Sequence, residues 1–246
     1  DPYSVFTYLG KSGGHLIGHL LVEDILASES HLDSRVLELA MRRGDKIMTV
    51  ILAMLDELLQ EFSPGEIPAG FVFLLRIVGY LKTLDALPVL VEALDTCISM
   101  PLHETVLALT KIGSDYPDQV SKELRRVAIN PAHGEARLGA IEVLGLLRET
   151  PGNLQFLMEE LGGLEPEDEF YRDMFTFLVS AVLSSSHEDA FEAVEAALER
   201  NRPFLDTRTI YLTMQYLKKR GPTKAGTLLD SILDEDIYSL RDLYLP

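Results

Sequence analysis

An internal repeat constrains this chain more than any other feature. Segments beginning at Phe71, Glu104, Ala136 and Phe170 share one pattern, an amphipathic helix, a short turn and a second amphipathic helix, and a fifth segment begins at Thr207. The apolar residue near the end of each first helix (Leu81, Ile112, Leu147, Leu183, Leu217) recurs at intervals of 31, 35, 36 and 34 residues. That period is one helical hairpin per step. A single hairpin cannot bury its apolar face alone, so such units stack on their neighbours. A closed bundle of similar hairpins would not need equal spacing.

Proline removes a backbone donor and clashes with the preceding turn, so it belongs between helices or in a first turn. Pro117, Pro151 and Pro222 fall at turns inside repeats, and Pro101, Pro131, Pro166 and Pro203 at turns between them. Upstream, Leu32 to Arg43 and Asp45 to Glu61 read as a sixth, more divergent pair joined at Gly44, followed by a loop over Phe62 to Gly70 that holds Pro64, Gly65, Pro68 and Gly70. Residues 1–30 fit no repeat and read as an N-terminal cap or extension; residues 31–246 read as a repeat domain of about six helix pairs. The tail, with Tyr238, Leu240, Leu243, Tyr244 and Leu245, reads as a cover for the last repeat. With 47% hydrophobic residues, 8% aromatics and no alternating Val, Ile, Thr and Tyr runs, the expected class is all-α.

Two stretches carry a family resemblance. Asp85-Ala-Leu-Pro-Val-Leu-Val-Glu-Ala-Leu94 resembles the second helix of HEAT repeats, and Ala136-Arg-Leu-Gly-Ala-Ile-Glu-Val-Leu-Gly-Leu-Leu147 is similar to the first helix of short HEAT-like repeats. The resemblance covers roughly residues 32 to 235 and implies a right-handed α-solenoid of antiparallel helix pairs, an armadillo-type fold whose second helices line a concave face. The first helices lack the proline kink of longer HEAT repeats, so no subfamily follows. Asp85 and Asp115 stand where HEAT repeats often place an aspartate, and are expected to cap the second helix by accepting backbone N–H bonds.

Formal charge is −17, from 39 acidic and 22 basic residues. The average field therefore repels phosphate backbones and anionic bilayers, which argues against nucleic-acid and membrane partners. Outward positions of the second helices are repeatedly acidic: Glu92 and Asp95, then Glu123, then Glu159 and Glu160, then Glu192, Glu195 and Glu199. From Glu159 to Glu199 there are twelve acidic residues and one basic residue, Arg172. From Arg200 to Lys224 there are seven basic residues and one acidic, Asp206. Solvated faces and helix ends matched to the helix dipole produce such a pattern too. The functional expectation is a non-catalytic scaffold or adaptor that binds a protein or peptide, a basic one in particular, on the acidic concave face implied by the resemblance.

Other chemistry is weakly signalled. His15, His19 and Glu23 share a helix face at i, i+4, i+8, but no HExxH is present and Glu23 lies far along the axis, so they read as ordinary polar positions and no metal is expected. Gly10-Lys11-Ser12 mimics the end of a phosphate-binding loop, but position 5 is Val5, where that loop needs a glycine. There is no GxSxG and no Rossmann glycine pattern, and no catalytic residue or cofactor is expected. The alternative function is a HEAT-like lyase or chaperone acting on a chromophore-bearing protein, which would need a pigment-sized pocket. The single cysteine, Cys97, lies in an apolar-periodic stretch and is expected to be a buried, inert thiol, consistent with a reducing cytoplasm. No run approaches the ~20 apolar residues of a membrane span. The start at Asp1 holds no signal-peptide pattern, and its lack of Met is expected of a fragment.

Overall fold

A computed structural model of the chain describes residues 14–28, 34–63, 67–97, 99–185 and 187–219. Among these residues there are twelve α-helices and no strand, as the composition predicts. They are α1 (Gly14–Leu26), α2 (Ser34–Arg43), α3 (Asp45–Glu61), α4 (Phe71–Leu81), α5 (Leu87–Thr96) and α6 (Ser99–Asp115), then α7 (Pro117–Ile129), α8 (Ala136–Leu146), α9 (Asn153–Gly163), α10 (Tyr171–Leu183), α11 (Glu188–Asn201) and α12 (Thr207–Lys219). Each segment from Phe71 to Asn201 that reads as two helices joined by a turn holds two in succession: α4 then α5, α6 then α7, α8 then α9, α10 then α11. Helix α12 opens the fifth. Its expected second helix, Pro222 and the tail with Tyr238 and Tyr244 lie outside the described residues, as do Gly10-Lys11-Ser12 and the side chain of His15.

Two local expectations change. Helix α6 begins at Ser99 and takes Pro101 into its first turn, where the missing N–H would have had no intrahelical acceptor. Asp85 sits in a 3-10 turn, Leu84–Ala86, and the N-cap of α5 is Ala86, with no side-chain cap bond. Asp115 meets a cation instead: its carboxylate accepts from Lys82 Nζ at 2.9 Å and from Ser114 Oγ at 3.1 Å. These contacts hold its carboxyl below the usual aspartate range.

The chain divides into two compact units, Asp1–Val120 and Ser121–Pro246. In the first, α2, α4 and α6 are successive neighbours, α3 and α5 pack side by side, and α1 lies against α3 and α4. Helix α4 is apolar on most of its surface because it is covered on several sides: Phe71, Leu74, Leu75, Ile77 and Val78 are buried. Its Gly79 lets the backbone of α6 approach, since a Cβ there would stand 3.0 Å from Ala108 Cα. Polar bonds fasten the same pair of helices. Arg76 donates through Nε to Glu104 Oε1 at 2.8 Å, and Lys82 at the left-handed C-cap of α4 reaches Asp115.

The second unit repeats the scheme. Helices α8, α10 and α12 are successive neighbours, and α9 packs beside α11. Gly145 of α8 faces Ala181 of α10 so closely that a Cβ would come within 2.8 Å of the alanine Cβ. Asn153, fully buried at the start of α9, is a hub: it accepts from Arg125 Nε at 3.1 Å and donates to Ser121 Oγ and Leu147 O, each at 2.9 Å. Helix α11 is amphipathic, burying Ala190, Val194, Ala197 and Leu198 at helical spacing. Burial of Val194 and Leu198 contributes about 1.5–3 kcal/mol each.

Candidate functional site

The periodicity that buries Val194 and Leu198 turns Glu192, Glu195 and Glu199 outward, and all three are exposed. They lie three and four positions apart, hence on one face of α11. The neighbouring α9 presents Glu159, exposed and accepting from Gln155 Nε2 at 2.7 Å, and Glu160, which is half-buried. Five of the eight acidic positions expected to bind a partner therefore stand on two adjacent helices. Glu123 belongs to the same unit but is held within α7 by Arg126 at 2.7 Å. Glu92 and Asp95 are exposed on α5 of the first unit.

At the C-terminal end of α9 the chain leaves the helix through Leu164 and the acidic run Glu165-Pro-Glu-Asp-Glu169 before α10 begins. This loop, with Pro131 of the 3-10 turn Pro131–His133, borders a cavity of about 520 Å³ that is open to solvent. Five carboxylates line it, those of Glu160, Glu165, Glu167, Asp168 and Glu169. Its apolar wall is made by Pro131, Leu164 and Phe170.

The one basic residue in the lining is Arg137, whose side chain is 7% exposed. Its guanidinium is already engaged: Nε donates to Ala128 O at 3.1 Å and Nη1 to Asp168 Oδ2 at 2.6 Å. The other oxygen of Asp168 accepts the backbone N–H of Phe170 at 2.9 Å, so the pair also sets the course of the loop. Burial is the main force on Glu160, raising its carboxyl above the usual glutamate range; the Arg137 charge opposes this and Glu159 adds to it. A cation entering beside Glu160 would relieve that cost.

The cavity escapes a reading by helix position because four of its five acids sit in a loop. One signal was present in the sequence. Arg137 interrupts the apolar face of α8, and a guanidinium turned inward must meet an acceptor.

Among the described residues no three His, Cys, Asp or Glu side chains are grouped to hold a metal ion. His19 and Glu23 are exposed on α1. Cys97 is buried at the end of α5, as expected, and burial pushes its thiol up to about 12. Among the described residues no helix is long and apolar enough to cross a membrane. No protein-family model, curated protein or solved structure matches the chain.

Proposed function

We propose that this protein is a non-catalytic interaction scaffold that holds a lysine- or arginine-rich segment of a partner protein on the acidic surface of α9 and α11. The observation that carries this reading is the cavity at the end of α9, where five carboxylates meet one arginine that is already bonded to Ala128 and Asp168. A lysine or arginine side chain suits both halves of it. The aliphatic stem packs along Leu164 and Phe170, and the charged head reaches Glu160. Glu192, Glu195 and Glu199 supply further charge on the helix beside it. Each exposed charge pair contributes little, about 0.2–1 kcal/mol, so affinity comes from several pairs and falls with salt.

We further propose that each unit is a stretch of HEAT-like, right-handed α-solenoid. Support comes from the repeat spacing and from the way helices two apart in the chain are neighbours within a unit, α4 with α6 and α8 with α10.

The test is fluorescence anisotropy with a labelled lysine-rich peptide at low salt. The double reversal Glu195→Lys, Glu199→Lys is expected to weaken binding about tenfold, equivalent to about 1.4 kcal/mol. An equal reversal at the exposed pair Asp56→Lys, Glu57→Lys on α3 is expected to weaken it less than about twofold. Unchanged binding in the first variant, or equal loss in both, would overturn the reading.

A further inference from the structure

We draw no further inference here: the strongest candidate, the acidic cavity between the Pro131–His133 turn and the loop leading into α10, belongs to the site already described, and its carboxylates come with no second feature that identifies a ligand beyond the basic side chain already proposed.

Discussion

Two polar side chains, Glu104 and Asn153, fasten segments that are distant in sequence, and each has a distinct energetic signature. Glu104 is 7% exposed and receives Arg76, itself 41% exposed. Glu104→Gln weakens a charge-assisted pair but leaves Arg76 able to reach water, so a loss of about 1–2 kcal/mol is expected. Asn153→Ala should cost more, about 2–3 kcal/mol, because buried Ser121 and Leu147 O lose their shared partner and Arg125 loses an acceptor. Urea unfolding of both variants checks the order, and a smaller loss for Asn153→Ala would contradict it. Glu160 behaves in the opposite sense. Its folded-state pKa lies above the unfolded value, so between the two the native state binds more protons, and stability rises as pH falls through that window. Glu160→Gln should therefore raise the urea midpoint at pH 7 and lose its advantage below about pH 4. A lowered midpoint at neutral pH would show that attraction to Arg137 outweighs burial. Among buried groups, Cys97 was legible in the sequence, since it sits in an apolar pattern with a single physical resolution; the inward turn of Arg137 was not, because an arginine in the first turn of a helix also suits an exposed position. The bonds of Asn153 were not, because asparagine after Pro151-Gly152 also suits an exposed turn.

Helix pairs were legible because the amphipathic period marks each helix from Phe71 to Asn201 and prolines stand at or near several of the turns. The closeness of first helices was not. In sequence, Gly79 and Gly145 resemble helix-weakening residues that cost about 0.5–1 kcal/mol each. Packing explains them: both face an alanine of the next first helix, with no room for a Cβ at Gly145. Gly145→Leu should force α8 from α10 and cost at least about 1–3 kcal/mol, lowering Tm by several degrees. Gly162, near the end of α9, has nothing within 4 Å of where a Cβ would stand. Gly162→Ala should therefore stabilise by about 0.4–1 kcal/mol, and thermal melts showing equal effects at both glycines would contradict this assignment. The aspartate at the turn misleads at this scale. Asp115 is the last residue of α6, one position short of the residue that precedes α7, and its Oδ1 pairs with Lys82.

Across the whole molecule, the acidic excess is legible in the sequence as a sum and only partly as a distribution. Helical spacing correctly turns Glu192, Glu195 and Glu199 outward, because Val194 and Leu198 must be buried. It does not reveal that Glu123 is occupied by Arg126, or that the loop acids gather around Arg137, since both depend on where long side chains end. The central claim, that a basic segment docks on α9 and α11, is tested most directly by joining lysine amines of a bound peptide to protein carboxylates with a carbodiimide and mapping the linked residues by mass spectrometry. Links concentrated at Glu160, Glu192, Glu195 and Glu199, and lost in high salt, are the expected result. Links spread evenly over exposed acids, with Asp56 and Glu57 as frequent as Glu195, would contradict it.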